Sequence, residues 1–264
     1  KENIKIATKK INENIKFFKK YFLVYDIKTK NNITNTYDSL IKSYELIKKE
    51  KLKGLITLPL NKEKMKKIDN KFIGHTEFFQ KLDKKKNVNM LFIYKNTFIT
   101  TLTTHIELKY VNKYLSDKKN IFNKINLLNN VLKKSFNIKK PKLIWSGINP
   151  HAGENNTIGI EETKYILPII NKLKKNKVDI IGPISGDAMV TDINIRKYDC
   201  FIFNYHDQAL IPFKIISKRE GLNYTSGLSF IRISPDHGTA YDIVGKKIAK
   251  NQSILNCFNF FKKL

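Results

Sequence analysis

The chain has 264 residues, with 41% hydrophobic and 11% aromatic content, which is length enough for one large α/β domain or two smaller ones around a sizeable core. Its formal net charge of +27 invites a nucleic-acid reading. The excess is almost all lysine, however: Arg196, Arg219 and Arg232 are the only arginines, and arginine is the residue that contacts phosphates and guanine edges bidentately. The lysines are spread over predicted helix faces among Asn and Ile, a pattern of solvated surface that fits drift in an A+T-rich gene, so no nucleic-acid partner is expected; a gene of ordinary base composition would remove that explanation. No apolar run approaches transmembrane length and no signal-peptide pattern opens the chain, which begins at Lys1. Cys200 and Cys257 sit in apolar settings outside any metal or redox motif, so a reduced, cytoplasmic compartment without a membrane partner is the expectation.

In chain order, Lys1–Lys20 carries Ile4, Ile11, Ile15 and Phe18 among lysines, which predicts an amphipathic helix. Tyr21–Ile27 reads as a strand and 28–35 as a polar connector. Tyr37, Leu40, Ile41, Tyr44 and Ile47 then predict a surface helix over Thr36–Lys49, stopped before Gly54. A short buried strand at Leu55–Leu58 ends in the polar group Thr57 to Glu63, which includes Lys62. Gly74-His75-Thr76-Glu77 precedes an apolar helix start. Thr76 reads either as a helix cap or, with His75, as part of an anion site at the helix N-terminus. Strands follow at Met90–Lys95 and Phe98–Thr104, helices at Val111–Leu115 and Ile121–Phe136, an apolar run from Lys142, and a helix over Glu161–Lys174. Val178–Ile181 is a further strand, with Asp187 in the loop after it. Cys200–Phe203 is a fully buried strand. Ser217–Thr225, holding Asn223, reads as a loop, and Gly227–Ser234 ends a strand that holds Arg232. The motif from Asp236 to Lys246 precedes a terminal amphipathic helix through Phe258.

Three of these segments share one design. FITTLTTH ends on His105, KLIWSGINPH on His151, and CFIFNYH on His206. Each delivers an imidazole at the C-terminal end of a strand-like run, where open parallel sheets bind ligands. The spacing is too wide for one helix face and suits neighbouring strands converging on a point. Three imidazoles with open positions describe a catalytic divalent-metal site better than a closed structural one. Lys214 and Arg232 add cations near the His206 strand end, as a phosphate or carboxylate pocket requires.

The stretches Gly74–Phe79, Thr103–His105, Asn149–Glu154, Tyr205–Gln208 and Asp236–Ala240, collinear and similarly spaced, resemble the 4-hydroxythreonine-4-phosphate dehydrogenase family of vitamin B6 synthesis. All five histidines fall inside these motifs, and Asp236–Lys246 also resembles the nucleotide-binding loop of the wider isocitrate/isopropylmalate dehydrogenase superfamily. The resemblance implies a two-domain α/β/α sandwich with an interdomain cleft. Its cofactor-side domain would be 1–72 plus 238–264, and its central domain 73–237 would carry metal and substrate. The family's usual Gly-Asp-Pro-Ala-Gly-Ile-Gly-Pro-Glu loop is not found here, so an N-terminally shortened or incomplete cofactor side is expected.

By the same resemblance, the reaction is an NAD- or NADP-dependent oxidation of 4-phosphooxy-L-threonine followed by loss of CO2, giving 3-amino-2-oxopropyl phosphate. His105, His151 and His206 would bind one divalent metal (Zn, Mg, Mn or Co), completed across the interface of a homodimer. His75, Thr76, Lys214, Asn223 and Arg232 would hold the phosphorylated substrate. Asp236, His237, Gly238, Thr239 and Ala240 would face the cofactor. Asp207 and Asp187 are candidates for supporting the metal ligands. The general base stays open among Lys62, Asp207 and hydroxide held by the metal. The alternatives are a dehydrogenase of threonate or erythronate 4-phosphate, a non-catalytic remnant, a nucleic-acid binder and a metal-dependent phosphohydrolase.

Overall fold

The structure is a computed structural model that describes residues 6–9, 22–25, 27, 32–50 and 52–263. By compactness of its packing the chain divides into two units. The first is Lys1–Leu52 with Leu60–Phe72; the second is Lys53–Pro59 with Ile73–Leu264. Compactness therefore groups residues 238–264 with the central part of the chain.

In the first unit, strands β1 (Ile6–Lys9) and β2 (Phe22–Tyr25) pair in parallel, and helices α1 (Asn32–Lys49) and α2 (Lys62–Lys66) follow. The amphipathic helix expected over Lys1–Lys20 is thus corrected at residues 6–9, where a strand forms; β-branched Ile6 and Thr8 suit extended pairing with Phe22–Tyr25. The rest of that predicted helix lies outside the described residues. Asn61 caps α2 by accepting from the Lys64 amide at 3.0 Å, and Tyr37 Oη donates to Asp69 at 3.5 Å.

The second unit is built on one mixed sheet of eight strands. These are β3 (Gly54–Ile56), β4 (Asn89–Tyr94), β5 (Thr97–Thr101), β6 (Lys142–Ser146), β7 (Asp179–Ile184), β8 (Cys200–Phe203), β9 (Leu222–Ser226) and β10 (Ile231–Pro235). Their spatial order is β3-β10-β9-β4-β5-β8-β6-β7. The block β5-β8-β6-β7 is parallel, the pairs β5-β4, β4-β9 and β9-β10 are antiparallel, and β3 runs parallel to β10 at the far edge. Leu222–Ser226, expected as loop, is a central strand. Its apolar Leu222 and Tyr224 alternate with Asn223 and Thr225, a period of two that a neighbouring Gly221 and the polar residues disguise.

Helices of this unit are α3 (His75–Leu82), α4 (Val111–Ser116), α5 (Lys118–Ser135), α6 (Leu167–Lys175), α7 (Asp192–Lys197), α8 (His206–Ser217) and α9 (Gln252–Lys262). Their caps are legible locally: Asp117 accepts from the Asn120 amide at 3.0 Å to start α5, and Thr191 from the Asn194 amide at 3.2 Å to start α7. Alternation along the strands splits the core in two. Leu91, Phe98, Trp145, Cys200, Ile202 and Tyr224 point to the face packed by Ile121, Ile125 and Leu128 of α5, Ile169, Ile170 and Leu173 of α6, and Cys257 of α9. Phe92, Ile99, Ile144, Phe201 and Phe203 point to the other face, under Ala209 and Phe213 of α8. Each fully buried Phe or Ile contributes about 2 kcal/mol. This is the α/β/α layering expected from the sequence.

On that second face the chemistry changes along the sheet. Where β4, β5, β8 and β6 present aromatic and aliphatic groups, β9 presents Asn223 and Thr225, and β10 presents Arg232 and Ser234 in register with them. The polar end of this face positions the candidate site. Among the described residues, no helix is long and apolar enough to cross a membrane.

Candidate active site

The strands β5, β8 and β6 are immediate parallel neighbours, so the residues just beyond their C-terminal ends emerge side by side. Those residues include His105, His206 and His151. The rings of His105 and His206 lie 5.8 Å apart between centroids, a span that two imidazoles on a single cation can cover. His206 opens α8, and its Nδ1 is 2.7 Å from Asp207 Oδ1. His105 has left-handed backbone (φ 50°), and its Nδ1 is 3.6 Å from Glu77 Oε1. A carboxylate beside each Nδ1 favours the tautomer that leaves Nε2 as the ligating atom.

His151 leaves the tip of β6 in a different setting. Residues His151, Ala152, Gly153, Glu154 and Asn155 all have positive φ, between 40° and 80°, forming a left-handed turn. Such backbone costs on the order of 1–2 kcal/mol per non-glycine residue. Glu162 holds the approach to it. This carboxylate is 2% exposed, and it accepts from the amides of Ile148 and Asn149, both at 2.8 Å, and from Asn149 Nδ2 at 2.9 Å. Glu161 takes a further bond from Asn149 Nδ2 at 2.8 Å, which draws its own pKa down. Gly153 is needed as glycine, since a Cβ there would lie 2.7 Å from Glu162 Oε2. Instead of the regular helix expected from Glu161, residues Glu162–Ile166 form a π turn before α6, which leaves Glu162 buried beside the His151 loop. Asp187 accepts from Ser185 Oγ and feels the charge of His151, both of which lower its pKa. Among the described residues, no three His, Cys, Asp or Glu side chains converge as a ready metal-binding group.

A second cluster centres on Arg232. Arg232 is 2% exposed, yet its guanidinium is met by hydroxyls rather than carboxylates: Nε donates to Thr57 Oγ1 at 2.9 Å, and Nη1 to Thr225 Oγ1 at 3.0 Å. Burial pushes its pKa down to about 9, with Glu77 opposing that shift. Thr76 Oγ1 is 3.4 Å from Thr225 Oγ1, which brings the first turn of α3, with His75, to this cluster. Asn223 shares the face two residues along β9, and its Oδ1 is buried without a hydrogen-bond partner. A single helical turn therefore touches both halves of the site: Thr76 reaches the arginine cluster and Glu77 reaches His105.

The remaining sequence-predicted residues fall nearby or apart. Lys214 on α8 pairs with Asp236 at 3.0 Å; burial raises the Asp236 pKa and Lys214 opposes the rise. His237, Gly238, Thr239 and Ala240 form an exposed loop after β10. Lys62 belongs to the first compact unit. Sequence reading did not pick out Glu77, Glu162, Thr57 or Thr225. Glu77 reads as an ordinary first-turn acid, and the threonines read as strand formers. Lys124, a lysine of α5, donates from Nζ to Leu102 O at 2.8 Å, and burial lowers its pKa.

The fold and the site together describe an α/β protein with paired imidazoles beyond the ends of its parallel strands and a buried arginine held by threonine hydroxyls on the same sheet. The family model of pyridoxal phosphate biosynthetic protein PdxA matches residues 2–260, and the chain belongs to that family. It is 39% identical over 206 residues to a 4-hydroxythreonine-4-phosphate dehydrogenase of Sulfurihydrogenibium sp., covering 78% of this chain and 63% of the relative. It is 40% identical over 211 residues to that of Aquifex aeolicus, covering 80% and 65%. The chain thus spans just under two thirds of the length of these relatives. A crystal structure of 4-hydroxythreonine-4-phosphate dehydrogenase from Klebsiella pneumoniae superposes with TM-score 0.83 at 26% identity, covering 98% of this chain and 83% of that one. At the level of fold alone, a beta-decarboxylating dehydrogenase from Thermococcus kodakarensis superposes with TM-score 0.50 at 10% identity, over 93% of this chain and 76% of that one.

Proposed function

We propose that the chain carries out the NAD(P)-dependent oxidation and decarboxylation of 4-phosphooxy-L-threonine to 3-amino-2-oxopropyl phosphate in vitamin B6 synthesis. The observation that carries the reading is the first turn of α3. Through Thr76 and Thr225 it meets a buried Arg232 whose hydrogen bonds go to threonine hydroxyls, and through Glu77 it meets His105 of the imidazole pair. A phosphorylated substrate satisfies the first half of that arrangement, and a cation-assisted alcohol oxidation the second.

In this reading Arg232, Thr76 and His75 bind the anionic end of the substrate, with Lys214 and Asn223 completing the contacts. His105 and His206 would hold a divalent cation, with His151 reaching the same site from the partner of a homodimer. Asp207 holds the Nδ1 proton of His206, the Glu77 carboxylate lies 3.6 Å from Nδ1 of His105, and Asp187 supports His151. The donor set fits a catalytic ion, being imidazoles with carboxylates one step removed. When bound, a divalent cation supplies Lewis-acid stabilisation of the oxygen charge that develops as the carbinol is oxidised and as CO2 leaves. NAD(P)+ would supply the hydride acceptor. On the chain's side the exposed loop 237–240 faces the cofactor, while the Asp236 carboxylate is committed to Lys214. Lys62 and Asp207 are the chain's candidates for accepting the hydroxyl proton. Residues 1–72 with 238–264 serve the cofactor and 73–237 the metal and substrate.

The test is NADH formation by the purified full chain supplied with Zn2+ or Co2+, NAD+ and 4-phosphooxy-L-threonine. NADH formation that needs the metal and is lost in His206→Ala is the expected result. NADH from threonate 4-phosphate alone would reassign the substrate, and none from either would overturn the proposal.

A further inference from the structure

The strand ladders stop short of the histidines. β5 and β8 pair up to Thr101 and Phe203, and β6 and β8 up to Trp145 and Ile202. Beyond those points, the three tips need another means of staying in register.

We propose that Asn204 is the positioning residue that fixes the three histidine-bearing tips relative to one another. The inference rests on the reading that each site takes His105 and His206 from one chain and His151 from its partner, so that the three tips of each chain serve the two sites of the dimer. Asn204 is 0% exposed and is bonded on every side. Its Oδ1 accepts from Trp145 Nε1 at 2.9 Å. Its Nδ2 donates to Ser146 O at 3.1 Å and Gly147 O at 2.9 Å, with Ser146 Oγ and Gln208 Oε1 slightly farther at 3.2 and 3.3 Å. Its carbonyl accepts from Thr103 Oγ1 at 2.7 Å and from the Thr103 amide at 3.2 Å, and its own amide donates to Gln208 Oε1 at 2.9 Å. Gln208 Nε2 adds a second bond to Gly147 O at 2.9 Å.

One residue thereby ties the β8 tip to both neighbours. The ties fall two residues before His105 and His206 and four before His151. Only a primary amide suits the position, because the side chain must accept from an indole N–H while donating to two carbonyls. An aspartate of the same shape would set an oxygen against Ser146 O and Gly147 O, and a leucine would take this partner from the Trp145 indole N–H and from Ser146 O.

The experiment compares the full-length parent chain with Asn204→Asp and with Thr103→Val. Each variant matches the parent in shape, and Thr103→Val cuts only the hydroxyl tie to the His105 tip. Hydrogen exchange of the metal-free proteins and Co2+ titration followed by visible absorption are read on all three. For Asn204→Asp, with parental far-ultraviolet dichroism, exchange should rise at least tenfold in residues 102–106 and 146–152. Its Co2+ affinity should fall about ten- to a hundred-fold, the size of effect seen when partners of metal ligands are lost. Should Asn204→Asp fail to fold, Thr103→Val remains decisive, with faster exchange confined to 102–106. Folded variants with parental exchange and parental Co2+ affinity would overturn the proposal. Equal Co2+ binding by the parent and His206→Ala would instead remove the shared-site reading, while the exchange data would still decide the role of Asn204.

Discussion

Glu162 and Asn149 are joined twice: the Glu162 carboxylate takes the backbone N–H of Asn149 at 2.8 Å and its side-chain amide at 2.9 Å. The Ile148 N–H is bound by the same carboxylate, so one buried anion fixes the two residues that launch the left-handed turn carrying His151.

Glu162→Ala should therefore destabilise the chain by about 2–4 kcal/mol, because it strands buried donors next to strained backbone. Glu162→Gln keeps an acceptor for the two main-chain amides and should lose less than half as much. Urea unfolding of the three proteins checks this, and equal midpoints for alanine and parent would refute it.

Arg232 makes a prediction about ligands. Its guanidinium is buried, is met by threonine hydroxyls, and has its pKa pushed down to about 9. Burial here works against the charged form, and an anion in the pocket would reverse that. Inorganic phosphate at a hundred times its Kd should stabilise the parent by about 2.7 kcal/mol, and Arg232→Met by nothing measurable. Thermal melts with and without phosphate decide the matter, and an equal shift in both proteins would count against the pocket.

For Asp236 the pH dependence has a definite sign. Burial raises its folded pKa above the unfolded value despite the Lys214 contact. Its contribution to stability is then fully present below the unfolded pKa and is lost as pH rises through the folded one. Relative to Asp236→Asn, the parent should lose stability as pH rises from about 4, the ordinary aspartate value, through the raised folded pKa. Chemical denaturation of both proteins across that range tests the trend, and a difference that is flat or grows in the parent's favour contradicts it.

The arrangement of the histidines supports a complementation test. His105 and His206 face each other within one chain, and in the proposed enzyme His151 comes from the other protomer. Mixing His151→Ala with His206→Ala after subunit exchange should restore about a quarter of parental NADH formation, since half the dimers would be hybrids, each with one intact site of two. No recovery after verified exchange would argue for sites built within single chains.

Much of this was legible before the structure. Apolar runs that end on His105, His151 and His206 announce strand tips, and parallel pairing of β5, β8 and β6 makes them neighbours. What the sequence did not reveal were the partners that only tertiary packing brings close. Nothing local links Glu162 to Ile148, Asn204 to Gly147, or Glu77 to His105. The strand Leu222–Ser226 escaped because Asn223 and Thr225, the residues that make it useful, are also those that make it look like a loop. The strand at Ile6–Lys9 escaped because isoleucines among lysines fit a helical period as readily as an extended one.

The spatial order β5-β8-β6 also has a consequence for synthesis. The middle strand of the three is the last to leave the ribosome, so a nascent chain halted before residue 200 presents β5 and β6 with bare edges and an empty slot between them. Arrested chains of that length should be the ones chaperones hold and proteases trim, and release of only the few dozen residues that follow should end that vulnerability.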